Sequence, residues 1–479
     1  MVDVGSNSVR MVVFEGKRRC PAVVFNEKVL CGLGSELSQT GRLAPEGVER
    51  AMRALKRFVV LATGLRVGAM AGVATAAVRE AEDGAAFAKR VAKETNIRLD
   101  IASGADEARL AAQGVLFGDP DARGLVVDLG GASLELCPVR NGKPGKGVTT
   151  PLGPQLLGDI SDRKSARKKI AKALAPHLSR YKSAGKRLYL VGGAWRALGR
   201  VQLERTAHPL PILHEFQFDA DAARRLTWHV LGCTEEELAA TPGLPSARVA
   251  SVPHAALLLE ALLEAFEPKQ VVISGFGLRE GVCFENLAQD VRREDPLIST
   301  CKGQEYTRAR APGFGGELAR WMTQAVEPLD ANEKRLIRAA CSLVDVSWRA
   351  HPDFRADACM EVVSRVNVSG VGHEGRAFMA ACLLTRYKGG RKALMREAAI
   401  SLLSEEQITR AIVLGALMRL GATIAGATPG YLRSCPLRLS DGVLHLGGSR
   451  RARALFGEEV EKRLSQAAAA LGVDWSTED

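Results

Sequence analysis

The chain has 479 residues, of which 46% are hydrophobic and 25% are charged, proportions that are usual for a globular protein. A single hydrophobic core rarely extends beyond ~250–300 residues, so more than one domain is expected. The formal net charge of +12 at pH 7 favours a polyanionic partner such as nucleic acid, polyphosphate or a nucleotide.

The cysteines and the apolar runs predict the compartment. The 10 cysteines are scattered without a Cys-x-x-Cys pair, which argues against a zinc knuckle or a disulfide framework and fits a reducing cytoplasm. No apolar run approaches the ~20 residues of a membrane span, and no basic-then-apolar leader opens the chain. We therefore expect a cytoplasmic protein without a membrane partner. A strand is predicted from residue 2 without a lead-in, and the sequence leaves open whether the native chain extends upstream of Met1.

Residues 1–120 are predicted to form a first α/β domain. The expected elements are strands over Ser8–Phe14 and Ala22–Leu30, a helix from Pro45 to about Leu61, a strand over Val67–Ala74, a helix over Phe87–Thr95 and a strand over Leu99–Ile101. Ser103 and Asp106 then form a capping box that opens a helix running to about Leu116. Glu107 lies one residue beyond that box, so its carboxylate is free for other work.

Residues 121–288 are predicted to form a second domain of the same kind. Strands over Leu188–Val191 and Gln270–Ser274 each lead through a glycine turn into a helix, and open α/β sheets bind ligands at such strand ends. Residues 163–200 contain 12 lysines or arginines and no acidic residue. This stretch is either a solvated helix face or a rim that attracts polyanions, and the sequence leaves both interpretations open.

Residues 289–479 are predicted to be mainly helical. Residues 290–310 have the composition of a charged linker. The expected elements that follow are helices over 311–324, 333–346, 356–363, 375–387, 392–403 and 406–420, a strand over 443–446 and a helix over 457–471.

Two stretches share a pattern of strand, aspartate, apolar residue, glycine and small polar residues. They are Asp3-Val4-Gly5-Ser6-Asn7-Ser8 and Asp128-Leu129-Gly130-Gly131-Ala132-Ser133. Glycines allow close backbone approach, successive N–H groups can form an anion nest, and the aspartate can hold a metal ion, so the pattern suits a phosphate site. For one copy alone, an ordinary hairpin with a solvated aspartate is an equally good interpretation. The second copy favours the phosphate site.

These two turns resemble the phosphate motifs of the actin-like (ASKHA) phosphotransferase superfamily. Within it, the chain resembles the exopolyphosphatase/guanosine pentaphosphate phosphohydrolase (Ppx/GppA) family more closely. Five motifs in the family's order carry the resemblance: Asp3–Arg10, Ala74–Ala81, Ser103–Leu110, Asp128–Glu135 and Ser274–Gly281. The resemblance implies two ribonuclease-H-like α/β domains flanking a cleft, followed by an all-α HD-like C-terminal region with a small terminal α/β piece.

The resemblance also implies a role for each matched residue. Glu107 corresponds to the catalytic glutamate that activates the attacking water. Asp128 and Glu135 correspond to acidic residues of catalysis and metal binding, and with Asp3 they are the expected ligands of Mg²⁺ or another divalent ion. The expected substrate-binding residues are the two glycine loops and an arginine along the substrate path: Gly5, Ser6, Asn7, Ser8, Gly130, Gly131, Ala132, Ser133 and Arg79.

Elementary chemistry agrees with these roles. Hydrolysis of a phosphoanhydride needs an in-line water, neutralised equatorial oxygens and a leaving phosphate that is held still. A carboxylate such as Glu107 can deprotonate the water, and the guanidinium fork of Arg79 matches phosphate oxygens. Mg²⁺ prefers carboxylate, phosphate and water oxygens. Without the resemblance, Arg79 would be interpreted as a surface ion pair with Glu80 or Glu82.

Three positions depart from the family pattern. Ala132 stands where a third glycine is common, and its methyl group would crowd a phosphate unless the backbone angles accommodate it. Trp195 follows a glycine turn that corresponds to the superfamily's adenosine-side motif, and we interpret it as a core residue. Val344 precedes Asp345 where HD phosphohydrolases have a His-Asp pair, so we assign the C-terminal region to substrate handling or dimerisation.

The resemblance implies an Mg²⁺-dependent exopolyphosphatase that releases orthophosphate from the end of polyphosphate, in a homodimer. The alternatives are the same reaction on guanosine pentaphosphate, giving the tetraphosphate, and a non-hydrolytic protein that binds polyphosphate or an alarmone. An ATP-dependent kinase of the superfamily is disfavoured by Glu107. Nucleic acid is a disfavoured partner because the chain has no recognised nucleic-acid motif and only 5% aromatic residues.

Overall fold

The computed structural model describes residues 1–182, 184–326, 330–364 and 368–477. The chain divides into two compact units. The first consists of residues 1–207 and 213–293, and the second of residues 208–212 and 294–479.

The first unit begins with a five-stranded sheet and its helices. In chain order these are β1 (Val2–Val4), β2 (Ser8–Phe14), β3 (Val23–Leu30), α1 (Leu37–Thr40), α2 (Pro45–Gly64), β4 (Gly72–Ala74), α3 (Ala76–Glu80), α4 (Gly84–Thr95), β5 (Leu99–Ile101) and α5 (Gly104–Gly118). The strand order is β3-β2-β1-β4-β5. The predicted strand over 67–74 is shorter than expected, because its neighbours β1 and β5 offer only three residues each for pairing.

A second, seven-stranded sheet completes the first unit. Its elements are β6 (Gly124–Leu129), β7 (Leu134–Arg140), β8 (Lys143–Pro144), β9 (Val148–Thr150), α6 (Pro154–Leu157), α7 (Arg163–Leu174), α8 (Leu178–Tyr181), β10 (Arg187–Val191), α9 (Gly193–Arg205), β11 (Phe216–Asp219), α10 (Ala220–Gly232), α11 (Glu235–Ala239), α12 (Val252–Phe266), β12 (Gln270–Ile273), α13 (Leu278–Glu285) and α14 (Gln289–Arg293). The order is β11-β12-β10-β6-β7-β8, with β9 also on β7. The chain thus repeats one plan, since β1 and β6 both pair antiparallel with the next strand and parallel with a later one.

The second unit is mainly helical and ends in a small sheet. Its elements are α15 (Pro296–Arg308), α16 (Phe314–Met322), α17 (Ala331–Ser342), α18 (Arg355–Ser364), α19 (His373–Tyr387), α20 (Arg391–Leu394), α21 (Glu405–Ala425), β13 (Leu437–Ser440), β14 (Val443–Leu446), α22 (Glu458–Leu471) and β15 (Asp474–Thr477). The sheet order is β13-β14-β15, and the sequence patterns indicated only β14.

Two predictions for this unit are wrong. Residues 290–310 are not a linker: Asp295 caps α15 by accepting from the N–H groups of Leu297 and Ile298, and Leu297 and Cys301 are fully buried. The predicted helix over 392–403 is interrupted, because α20 ends at Leu394 and the chain continues as a 3₁₀ turn over residues 398–402.

Residues 208–212 belong to the second unit although they lie within the sequence of the first. Leu210 is 3% exposed and is buried together with Ala377 and Ala399. His208 Nε2 lies 2.7 Å from His373 Nδ1. This short segment is therefore a built-in part of the helical unit.

Two helical stretches are long and apolar enough to cross a membrane, Ser246–Phe266 and Glu405–Ala425, which corrects the expectation that no run approaches that length. More than half of each stretch, 56% and 67% of the tested windows, is buried inside the protein. Core helices pass the same test of length and composition, so these two stretches are weak evidence for a span.

Candidate active site

The two glycine turns have the same backbone arrangement. The N–H of Gly5 donates to the carbonyl of Ser8 at 3.0 Å, and the N–H of Gly130 donates to the carbonyl of Ser133 at 3.0 Å. The first turn connects β1 to β2 and the second connects β6 to β7. The turns are therefore structural counterparts in the two sheets, as the shared sequence pattern predicts.

Backbone donors remain open at the tips of both turns. Among the described residues, no acceptor receives the N–H of Ser6 or Asn7, or that of Gly131 or Ala132. The carbonyl of Asn7 accepts from the N–H of Cys31 at 2.9 Å, which fixes the first turn while its donors stay open. Neighbouring N–H groups of this kind form a nest for an anion.

Neither backbone strain nor packing within the protein requires glycine at Gly5 or Gly130. Neither Gly5 nor Gly130 has a positive φ, so backbone strain does not require glycine there. A methyl group on Gly5 would lie 3.6 Å from the carbonyl oxygen of Ser8, and one on Gly130 would lie 3.4 Å from that of Ser133. Because these are distances that the protein tolerates, the missing side chains are better explained by the approach of a ligand.

Ala132 fits its turn without strain. It is not among the residues with positive φ, and its carbonyl accepts from the N–H of Gly153 at 3.0 Å. A side chain on Gly153 would clash with the backbone of Ala132. The segment around Gly153 thus leaves room for the turn, and the methyl group of Ala132 needs no unusual backbone angles.

The strand register sets the chemistry of each turn. Asp3 lies opposite Arg10 in the first hairpin, and Asp128 lies opposite Glu135 in the second. Directly opposed residues of antiparallel strands project from the same face with Cβ atoms ~4.5–5.5 Å apart. One turn therefore pairs a carboxylate with a cation, whereas the other brings two carboxylates together.

Glu107 lies in the first turn of α5 and is 8% exposed. Arg79, on α3, donates a hydrogen bond to its Oε1. The same guanidinium donates to the carbonyl of Ala102 at 2.9 Å and to Glu80 at 3.2 Å, so the surface ion pair and the contact with the predicted catalytic glutamate both exist. Burial raises the pKa of Glu107, and the hydrogen bond from Arg79 offsets only part of that effect.

Glu135 is 3% exposed and is oriented by a threonine of β9. Thr149 donates through Oγ1 to Glu135 Oε1 at 2.9 Å. The methyl group of the same threonine lies against Gly104, where any side chain would clash with it. Thr149 therefore connects the Glu135 carboxylate to the start of α5, the helix that carries Glu107.

The carboxylates of the site raise one another's pKa. Burial, followed by the charges of Glu107 and Asp128, raises the pKa of Glu135 to about 8. Burial and the charge of Glu107 raise the pKa of Asp128 to about 7. Burial also raises the pKa of Asp3, against the opposing charges of Arg279 and Arg10. Such clustering of perturbed groups is typical of functional sites.

Sequence reasoning missed a cluster of cations at the same site: Arg10, Lys28, Arg196, Arg248 and Arg279. Burial, followed by the charges of Arg279 and Arg196, lowers the pKa of Arg10 to about 10. Burial also lowers the pKa of Lys28, and the four arginines add to that effect. Among the described residues, none of the five forms an ion pair within 4 Å. Arg10 and Arg279 lie inside recognised motifs, but Lys28 and Arg248 carry no local sequence signal.

A divalent cation fits the acidic part of the site. Among the described residues, no hydrogen-bond donor and no ion-pair partner reaches the carboxylates of Asp3 and Asp128. Burial is the main cause of the raised pKa values of Asp128 and Glu135, and a bound cation would relieve the repulsion between carboxylates that adds to it. No group of three or more ligating side chains is preassembled in the described part of the chain. Mg²⁺ is usually held by one or two carboxylates together with water and substrate phosphates, which matches this donor set.

Two further residues were singled out from the sequence. Trp195 is fully buried, which confirms it as a core residue. Asp345, in the position of the HD aspartate, is 3% exposed and accepts hydrogen bonds from the Arg310 guanidinium at 3.0 and 2.7 Å. Its carboxylate is thus engaged by a cation of the protein.

The repeated sheets, the paired glycine turns and the buried carboxylates are those expected of the actin-like class of proteins that act on phosphate groups. Residues 12–290 match the Ppx/GppA phosphatase family, and residues 297–476 match the C-terminal domain of exopolyphosphatases. The chain belongs to the Ppx/GppA phosphatase family.

Similar proteins agree with this assignment. Exopolyphosphatase 1 of Mycobacterium leprae is 26% identical over 334 residues, which cover 66% of this chain and 98% of that protein. Exopolyphosphatase 1 of Mycobacterium tuberculosis is 25% identical over 327 residues, which cover 65% of this chain and 94% of that protein.

Solved structures confirm the fold. An exopolyphosphatase from Cytophaga hutchinsonii superposes with a TM-score of 0.55 at 23% identity, covering 60% of this chain and 97% of the other. The Ppx/GppA phosphatase of Aquifex aeolicus gives a TM-score of 0.51 at 24% identity, covering 60% and 98%. The predicted pair of actin-like α/β domains and the mainly helical C-terminal region with its small sheet are therefore confirmed.

Proposed function

We propose that this protein is an exopolyphosphatase, which hydrolyses the terminal phosphoanhydride bond of inorganic polyphosphate and releases orthophosphate. The observation that carries the proposal is the combination of two duplicate anion nests with a buried glutamate and five cations in one unit. The names of the similar mycobacterial proteins support the same activity.

Glu107 acts as the general base. Its raised pKa makes it a stronger base than an exposed glutamate, and it can remove the proton of a water within hydrogen-bond reach. The hydrogen bond from Arg79 fixes the carboxylate at the start of α5. The same guanidinium is available to phosphate oxygens once the substrate is bound.

The two nests and the cations hold the substrate. The N–H groups of Ser6 and Asn7 bind phosphate on one side, and those of Gly131 and Ala132 bind it on the other. The arginines neutralise the charge that spreads over the equatorial oxygens during phosphoryl transfer. Ser8 and Ser133 terminate the two turns and contribute hydroxyl groups beside the open N–H groups.

Asp128, Glu135 and Asp3 are the residues that would hold Mg²⁺ or another divalent ion. When bound, the ion would neutralise negative charge on the phosphate oxygens. We further propose a cytoplasmic homodimer, and the ten cysteines, all of them within the described residues and none in a disulfide, are compatible with a reducing compartment.

The deciding experiment measures phosphate release in Mg²⁺ from polyphosphate of several chain lengths, with guanosine pentaphosphate and ATP assayed alongside. We expect the highest kcat/KM with polyphosphate. Release from guanosine pentaphosphate alone would replace the proposal with the alarmone hydrolase. Binding of polyphosphate without any hydrolysis in Mg²⁺ would instead indicate a sensor.

A further inference from the structure

Helix α7 carries an unusual concentration of positive charge. Six of its 12 residues are lysine or arginine and none is acidic. Three of the six have partners in the protein. Arg163 donates to the carbonyl of Leu231, Arg167 forms two hydrogen bonds to Glu260 at 2.8 and 2.9 Å, and Lys169 donates to the carbonyl of Leu156 at 2.6 Å.

The other three cations are Lys164, Lys168 and Lys172, which we call the lysine row. All three are exposed, and none has a hydrogen bond or an ion pair with any described residue. They are four residues apart, so they lie on one face of the helix. With a rise of 1.5 Å per residue, neighbouring lysines are ~6 Å apart and the row is ~12 Å long.

The lysine row is unfavourable for the helix itself. Like charges four residues apart repel each other and destabilise a helix. Several other cations on helices of the same unit are balanced by carboxylates. Lys56 lies 2.7 Å from Glu94, and Arg57 lies 3.0 Å from Glu27. A local arrangement that costs stability and has no compensation within the fold is expected where a ligand supplies the compensation.

Helix α7 is connected to the second glycine turn through α6. The backbone N–H of Gln155, in α6, donates to the carbonyl of Gly131 at 2.9 Å. The next residue of α6, Leu156, accepts a hydrogen bond at its backbone carbonyl from the ammonium group of Lys169 in α7. Helix α7 is therefore linked through hydrogen bonds to the segment that directly follows the second glycine turn.

We propose that the lysine row binds the distal part of a polyphosphate chain whose terminal phosphate occupies the two nests. The inference rests on the proposed function. Lysine ammonium groups are flexible point charges, so they suit a polyanion that has no fixed register and that must move forward after each hydrolysis. The row thereby favours long chains over short ones.

The test compares the wild type with K164Q/K168Q/K172Q and with the control K89Q/K93Q/R98Q, which removes three exposed positive charges from the other α/β domain of the same unit. For long polyphosphate, we expect the lysine-row variant to raise KM about threefold to tenfold with kcat unchanged, and to weaken the salt dependence of kcat/KM. The lysine-row variant should hydrolyse tripolyphosphate with the kcat and KM of the wild type. The control variant should have the wild-type kcat and KM for both substrates. Its thermal midpoint should equal or exceed that of the wild type, because the repulsion is removed.

Three results would overturn the inference. An equal rise in KM for the control would mean that only net charge matters, and an equal rise for tripolyphosphate would mean that the row does not act on the distal chain. Loss of duplex DNA binding without loss of polyphosphate binding would make the row a nucleic-acid surface. If the wild type fails to hydrolyse polyphosphate, the proposed function fails separately, and direct binding of fluorescently labelled long polyphosphate to the same three proteins still tests the row.

Discussion

At the scale of single residues, the first unit brings together carboxylates that burial holds close to neutrality and cations that have no carboxylate partner. Glu135 and Asp128, with pKa values raised to about 8 and about 7, change charge in the range in which the cell operates. Small changes in their surroundings should therefore alter activity at neutral pH.

Glu107→Gln should lower kcat for polyphosphate about 10²- to 10⁴-fold, because the amide keeps the size of the side chain but cannot accept the proton of water. KM should change little, since the nests and the cations remain. Steady-state phosphate release measures both constants. Glu82→Gln, at an exposed position on the same domain, is the control and should retain full activity. Full activity of Glu107→Gln would show that another group is the base.

Thr149→Val should shift the acidic limb of the pH–activity profile to higher pH. The threonine hydrogen bond lowers the pKa of Glu135, so its loss raises that pKa further and reduces the ionised fraction at neutral pH. A hydrogen bond worth about 1 kcal/mol corresponds to a loss of about fivefold at pH 7.

The profile of kcat/KM against pH measures this effect. Thr149→Ser, which keeps the hydroxyl, should restore the wild-type profile. A loss of the same size at every pH would contradict a role for Thr149 in tuning Glu135 and would leave it a purely structural residue.

At the scale of secondary-structure elements, helices α5 and α13 touch through their glycines. A side chain on Gly114 would clash with the carbonyl of Gly277, and one on Gly281 would clash with the carbonyl of Leu110. This backbone contact sets the separation between the helix that begins near Glu107 and the helix that carries Arg279.

Gly114→Ala should push these two helices apart and thereby lower kcat/KM. It should also lower the free energy of unfolding by about 1–3 kcal/mol. Thermal unfolding and steady-state kinetics measure the two effects. Gly303→Ala is the matched control, because a methyl group there meets no atom within 4 Å in the middle of α15. The control should gain up to about 1 kcal/mol from helix propensity. A neutral Gly114→Ala would mean that the contact relaxes easily.

The sequence predicted elements well where the signal is local. The two turns, the capping box of Ser103 and Asp106, and the hairpin strands follow from a few adjacent residues. The sequence-based prediction failed where a local signal was outweighed by composition. The high charge of residues 290–310 suggested a linker and concealed the Asp295 cap and the Pro296 start of α15. Lys28 and Arg248 reach the site only because distant strands and turns bring them there, so no local pattern could have indicated them.

At the scale of the whole molecule, the buried carboxylates link stability to pH. Asp128 has a pKa near 7 in the folded protein and about 3.9 when unfolded. Between these values the folded state holds a proton that the unfolded chain has lost, so this residue's contribution to stability is complete at low pH and disappears as the pH rises through 7.

Asp128→Asn should therefore stabilise the protein relative to the wild type at pH 8 and have little effect at pH 4. The difference should be on the order of 1–3 kcal/mol. Thermal midpoints measured without divalent ions at the two pH values provide the test. Asp100→Asn, at an exposed aspartate of the same unit, is the control and should show no such pH dependence. An equal effect of Asp128→Asn at both pH values would contradict the raised pKa.

The segment of residues 208–212 has a consequence for how such a chain can be shortened. Leu210 is covered by Ala377 and Ala399, and His208 contacts His373, and these three contact residues all lie beyond residue 293. A stop codon after residue 293 would leave an uncovered leucine in the middle of the remaining polypeptide and would favour its aggregation. A stable short form would require a polar residue in place of Leu210. We therefore expect related proteins that lack the helical unit to have a polar residue at this position, and those that keep it to have an apolar one.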